Sequence, residues 1–241
     1  MRQHVVHVLE ASPDAPFPDP AGCDHPDGLI AVGGDLSRTR LLNAYRHGIF
    51  PWYEPGGPIL WWSPDPRAVL IPGHVHVSRR LARTLRQGRF QISIDRKFTA
   101  VIDGCAEPRD DSAGTWITEE MRNAYIDLHA RGDAHSLEVW RDNKLVGGLY
   151  GVAIGRIFFA ESKFHYERDA SKIALVELMQ RLEHLGYLLC DCQLWNPHLE
   201  HFGVRMIGRH DFLRLVRHGV TLSPVPLHEN DMESKPLSDQ P

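Results

Sequence analysis

The chain lacks the features of several common functional classes. No apolar run in its 241 residues approaches the roughly 20 needed for a membrane-spanning helix. Its four cysteines, Cys23, Cys105, Cys190 and Cys192, form no C-x-x-C pair, and Cys190 and Cys192 are too close on one strand to bridge easily. That usage reads as reduced thiols in a cytoplasmic protein. The first twenty residues have one early arginine but no continuous apolar core and no small-residue cleavage site, so no signal peptide is expected. Positive charge is not in excess: the formal net charge of -4 excludes coating nucleic acid by charge alone, though it leaves room for a local basic patch. The 15 histidines are scattered, and neither His74 with His76 nor His198 with His201 has an evident third ligand, so no metal site is expected.

What is present suits a folded enzyme-sized chain. A hydrophobic content of 42% over this length supports a real core in one large or two modest domains. Residues 1–27 are rich in Pro and Asp, with one strand expected at His4–Leu9. Ser37 is placed to cap a short helix with Leu41, Leu42 and Tyr45 on its apolar side, and Gly48 stops it. A Pro- and Gly-punctuated loop follows, carrying Trp52, Tyr53, Trp61 and Trp62. We place the end of a small N-terminal domain at residue 64, a larger domain over 65–222, and a loose tail over 223–241.

In the larger domain, Ser78 opens a basic helix with Arg79, Arg80, Arg83, Arg86 and Arg89 mostly on one side. A strand at QISIDRKF and a short helix follow, then a helix from Thr118 to Ala130 with Glu119 and Glu120 in its first turn. Three strands form a meander, HSLEVWRD, KLVGGLYGVA and RIFFAES. Asp169 or Ser171 caps the next helix, whose apolar face is Leu175, Leu178, Met179 and Leu182. YLLCDCQL then returns as a strand. Alternation puts Asp191 and Gln193 on one face and Cys190 and Cys192 on the other. A carboxylate and an amide at a buried strand end, with Glu161 from another strand, suit either a site or a structural polar network that closes the strand.

Three antiparallel strands, a helix and a further strand fit an α/β (α+β) fold with a GNAT-like acyltransferase domain and a mixed, mostly antiparallel sheet. Acetyltransferases of that type hold a cofactor pyrophosphate on a Gly-rich turn before the central helix. Here that position reads KFHYERDASK, without glycine. Coenzyme A is therefore not the expected acyl donor.

GLIAVGGDLS, GIFPW, PILWWSPDPRAVL, GTWIT, HSLEVW, LVGGLYGV, ESKF and the DCQ triplet occur in register between Gly28 and Phe212. Together they resemble the leucyl/phenylalanyl-tRNA–protein transferases. The resemblance implies transfer of Leu or Phe, and Met weakly, from the charged tRNA to the α-amine of proteins beginning with Lys or Arg. The product is a peptide bond and an N-degron. It also implies a cytoplasmic monomer with no metal or organic cofactor. By position, Glu161, Asp191 and Gln193 match catalytic residues. Trp52 and Trp116 match the aromatics that hold the terminal adenosine, and Tyr45 and Tyr125 match positions at the tRNA acceptor end. Leu149 and Leu178 fall in the apolar aminoacyl pocket. The stripe of Arg79, Arg80, Arg83 and Arg86 is a candidate contact for the acceptor stem, or a solvated helix face.

The chemistry asks little of a base. The donor is an activated ester, and an α-amine with a pKa of about 7.7–8.0 is partly neutral near pH 7. The expected roles are for Asp191 to polarise the Gln193 amide, for the Gln193 carbonyl to accept from the attacking amine, and for Glu161 to hold the incoming amino terminus. Two other functions fit less of the sequence. A related leucyl transferase for acidic N-termini would not carry all these blocks, and a non-catalytic tRNA 3′-end module would not need the three polar residues.

Overall fold

A computed structural model describes residues 6–108 and 115–228. The strands form two sheets. The smaller has the order β1-β2-β4-β3 and comprises β1 (His7–Leu9), β2 (Leu29–Gly33), β3 (Phe50–Pro51) and β4 (Leu60–Trp62). The strand expected from His4 begins at His7 among the described residues. Helix α1 (Arg38–Arg46) follows β2. The Ser37 hydroxyl accepts from the Arg40 N–H at 3.4 Å, satisfying one of the donors a helix start leaves open. Gly48 ends it at a φ of 69°, and a Cβ there would lie 2.7 Å from Leu213 and Phe212.

The larger sheet has the order β11-β5-β10-β9-β8-β7-β6. Its strands are β5 (Arg67–Leu70), β6 (Gln91–Ile94), β7 (Ala134–Arg141), β8 (Lys144–Ile154), β9 (Ile157–His165), β10 (Leu189–Asp191) and β11 (Arg205–Ile207). All neighbours are antiparallel except β9 and β10. Those two are parallel and joined through helix α5 (Ala170–His184), as a parallel pair requires a crossover. The mixed α/β architecture agrees with the sequence reading.

Each face of this sheet has its own cover. Leu175, Leu178, Met179 and Leu182 of α5 pack with Leu137, Leu149, Phe158 and Cys190 on one side. On the other, Val152, Ile157, Phe159 and Leu189 join one cluster with Ile30, Leu41, Tyr45 and Trp61 of the N-terminal segment. Helices α3 (Phe98–Ala106), α4 (Glu119–Ala130) and α7 (Arg209–Gly219) contribute to that second layer. The strands divide between Trp62 and Arg67, but the core runs across the division. Gly147 lets α5 approach β8: a Cβ there would come within 2.7 Å of the Ala170 Cβ.

Three expectations change. Trp61 and Trp62, expected on a loop, lie on β4, where pairing with β2 and β3 satisfies the backbone. The α5 cap position is Asp169, at a φ of 69°, but its side chain makes no capping bond. Its carboxylate is drawn instead to Arg80, at 3.1 Å, and Lys172, at 3.2 Å. The expected loose tail from residue 223 does not hold for its first part. The Tyr187 hydroxyl donates to the Val225 carbonyl at 3.0 Å, and Leu227 is 2% exposed, because the body presents an apolar hollow it can fill. The rest of that tail lies outside the described residues.

Candidate active site

β9 and β10 pair from Ile157 to Phe159 against Leu189 to Asp191. Beyond that point they part. β9 continues along β8 to His165, while the chain after Asp191 follows β5, with the Cys192 N–H donating to the Ala68 carbonyl at 2.9 Å. The three polar residues stand at this fork.

Asp191 is fully buried, and its carboxylate is met by the equally buried Arg67: Nε to Oδ1 is 2.8 Å and Nη2 to Oδ2 is 2.7 Å. The guanidinium carbon lies 4.7 Å from the Phe50 ring centroid and 4.5 Å from that of Phe212. Burying an ion pair requires such geometry, since each charge loses its water. Two details of the sequence reading are corrected. The strand ends at Asp191, so strand alternation does not align Gln193 with it. Gln193 instead adopts a left-handed φ of 58°. Asp191 does not touch the Gln193 side-chain amide: its Oδ1 accepts the Gln193 main-chain N–H at 2.9 Å, which holds that unfavourable backbone turn. Asp191 positions Gln193 through its backbone.

Glu161 and Gln193 are only partly buried. The Gln193 Nε2 donates to Glu161 Oε1 at 3.3 Å across the fork, leaving the amide oxygen available as an acceptor. Tyr45 donates to Glu161 Oε1 at 2.7 Å and Tyr125 to Oε2 at 2.9 Å, and the two hydroxyl oxygens are 2.5 Å apart. Both rings are fully buried, and these tyrosines grip the carboxylate from α1 and α4. Burial pushes the Glu161 carboxyl up to about 7; the two hydroxyls pull against that shift, Asp191 adds to it and Arg67 opposes it. Burial, next to the Glu161 charge, also raises both tyrosines well above their ordinary value.

A cavity of about 630 Å³ opens beside the fork, lined in part by Phe50, Trp52, Trp62, Pro66, Leu194 and Trp195. Trp52 is 45% exposed and Trp195 47%. Trp116 does not line it, although its segment is tied to that of Trp52 where the Tyr53 and Thr118 hydroxyls meet at 3.1 Å. Leu149 and Leu178 do come together, with Leu137 and Phe158, but only about 10 Å³ is left open between them. Arg79, Arg80, Arg83 and Arg86 are exposed on helix α2 (Arg79–Arg86), with Arg80 engaged by Asp169. His198 and His201 are exposed around the short helix Pro197–Glu200. Among the described residues, no group of three or more His, Cys, Asp or Glu is placed to hold a metal ion. Nor is any helix among them long and apolar enough to cross a membrane.

The family model described as leucyl/phenylalanyl-tRNA protein transferase matches residues 69–217, and the model for that family's N-terminal domain matches residues 34–65. The chain belongs to the leucyl/phenylalanyl-tRNA–protein transferase family. It is 58% identical to the leucyl/phenylalanyl-tRNA–protein transferase of Azotobacter vinelandii, over 82% of this chain and 87% of that one. It is 53% identical to the transferase of the same name from Shewanella pealeana, over 89% of each chain. Among solved structures, a GCN5-related N-acetyltransferase from Kribbella flavida aligns at 12% identity and a TM-score of 0.39, over 67% of this chain and 58% of that one. As a leucyl/phenylalanyl-tRNA–protein transferase, the chain is an aminoacyltransferase of a family that acts on aminoacyl-tRNA and protein substrates.

Sequence reasoning about this transferase passed over two residues. Arg67 lies inside PILWWSPDPRAVL, and its signal was a charged residue leading the apolar strand Arg67–Leu70, which needs a buried counter-charge. Trp195 follows Gln193 by two positions, but nothing in its local pattern marks it as a wall of the cavity.

Proposed function

We propose that this transferase moves Leu or Phe, and Met weakly, from aminoacyl-tRNA to the α-amine of proteins beginning with Lys or Arg, making an N-degron. The observation that carries the reading is the pairing of Gln193 with Glu161 at 3.3 Å, at an accessible fork beside an aromatic-lined cavity. The aromatic faces suit a terminal adenosine, since base stacking tolerates any base. The exposed arginines of α2 suit acceptor-stem phosphates.

The Gln193 carbonyl accepts from the attacking amine and aims its lone pair at the ester carbon. The new N–C bond forms as the bond to the ribose oxygen breaks, so one proton must pass from nitrogen to that oxygen. An amide is too weak a base to keep it. Glu161, with a pKa of about 7, is matched to an α-amine of about 7.7–8.0 and takes the proton. It returns the proton to the leaving oxygen and ends ionised, as it began. The tyrosines make this exchange easy. Three close oxygen contacts link Tyr45, Tyr125 and Glu161, but two hydroxyls supply only two protons. When Glu161 takes a proton, Tyr45 can turn its own from the carboxyl to the Tyr125 oxygen, which completes the ring.

Incubation with charged Leu-tRNA and peptides beginning with Arg, Lys, Asp or Glu tests the proposal. Extension by one leucine is expected for the Arg and Lys peptides. Extension of only the acidic ones, or of none, overturns it.

A further inference from the structure

The segment after α7 places Leu227 where the reaction needs a vacancy. Leu227 is 2% exposed and sits among Ile94, Leu137, Leu149, Phe158 and Leu178. With it in place the remaining space is about 10 Å³, which holds about one water. A leucyl or phenylalanyl side chain does not fit beside it.

Among the described residues, the burial of Leu227 and two side-chain hydrogen bonds hold this segment. Arg181 donates from Nη1 to the Leu227 carbonyl at 2.6 Å, and Tyr187 from its hydroxyl to the Val225 carbonyl at 3.0 Å. Both donors are side chains of the body, and both acceptors belong to the strap. Pro224 and Pro226 have no N–H to give, so residues 223–226 add no strand to the sheet. Lifting the strap therefore breaks no helix and no sheet ladder.

We propose that Leu227 is a built-in occupant of the aminoacyl side-chain pocket, which the donor's own side chain must displace. The inference rests on the reading of Leu149 and Leu178 as that pocket. It adds selectivity to fit: a large apolar side chain refills the space Leu227 leaves, whereas a small one exposes apolar surface and cannot compete. The strap thus works against donors carrying small amino acids.

The test uses the full chain and measures binding of a non-hydrolysable leucyl-amido-adenosine and of plain adenosine. Leu227→Ala is expected to tighten the leucyl compound about tenfold and to leave adenosine unchanged. Leu149→Trp is expected to weaken the leucyl compound alone. If Leu227→Ala leaves its affinity unchanged or lowers it while Leu149→Trp still weakens it, the plug is wrong and the pocket stands. If Leu149→Trp has no effect, the pocket reading fails and the plug with it. A second measurement does not depend on truncating the side chain. In Leu227→Cys, the rate of maleimide attachment at position 227, resolved by mass spectrometry, should rise with the leucyl compound and not with adenosine. An unchanged or slower rate with the leucyl compound overturns the proposal.

Discussion

Arg67 and Asp191 meet edge to edge through two hydrogen bonds of 2.8 and 2.7 Å, and neither side chain is exposed. The pair joins β5 to β10, and the same carboxylate holds the main chain of Gln193. A structural ion pair therefore sets the position of the amide proposed to receive the attacking amine. Removing one partner leaves the other charged and buried.

Arg67→Ala is expected to lower unfolding free energy by about 3–5 kcal/mol in a urea titration, and to abolish transfer. The double variant Arg67→Met with Asp191→Leu should recover most of that stability, because no charge is left unpaired. It should not recover transfer, because the Gln193 N–H loses its acceptor. Recovery of both would show that Asp191 has no positioning role.

Glu161 gives stability a pH dependence of known sign. Its pKa is about 7 in the folded chain against an ordinary 4.5. Below pH 4.5 both states are protonated and the group contributes its full share. As pH rises toward 7 the unfolded chain releases the proton first, so that share is lost. Glu161→Gln cannot ionise, and should gain relative to the parent between pH 4.5 and 7, by on the order of 3 kcal/mol at most. Thermal melts at pH 5 and pH 8 measure the difference. A gain that does not grow with pH contradicts a carboxyl raised by burial.

Transfer should follow the same group. The rate is expected to rise with pH through about 7, as Glu161 becomes able to accept a proton. Tyr45→Phe removes a donor that pulls the carboxyl down, so its profile should shift to higher pH. Single-turnover rates from pH 5.5 to 9 with the ester-linked donor would reveal this. Identical profiles for parent and Tyr45→Phe would separate Glu161 from the proton path.

The two tryptophans expected to hold adenosine should behave differently. Trp52 lines the large cavity and Trp116 does not. Trp52→Ala should cost about 1–3 kcal/mol of adenosine binding by titration, and Trp116→Ala clearly less. Equal losses would mean that a second aromatic wall forms on binding.

Helix α2 offers a test by salt. Replacing Arg79, Arg83 and Arg86 by Gln should weaken tRNA binding and flatten its dependence on salt, since fewer counterions are released. Arg80 is omitted because Asp169 already engages it. An unchanged slope would return the stripe to a solvated face.

Local rules were enough for much of this protein. Ser37, Ser78 and Thr118 cap their helices through side-chain oxygens because capping is settled within three residues. The meander and the apolar face of α5 followed from periods of two and near four residues. Glu161 and Gln193 were legible because polar groups ending apolar runs are rare and the surrounding blocks resemble one family. Strand alternation failed at Gln193, where a bond to Asp191 supports a backbone turn that no periodicity describes.

The sequence alone therefore determined most of the helices, the three-strand meander and the family. Only the tertiary structure decided what their residues touch. Arg67 lies 124 positions from Asp191, and Tyr45 lies 116 from Glu161. Leu227, beyond the end of α7 in the chain, fills a hollow lined by Ile94, Leu137, Leu149, Phe158 and Leu178. Such partners are chosen by burial: a charge, a hydroxyl or an apolar side chain removed from water must take whatever complementary group the fold brings beside it, and chain order does not encode that choice.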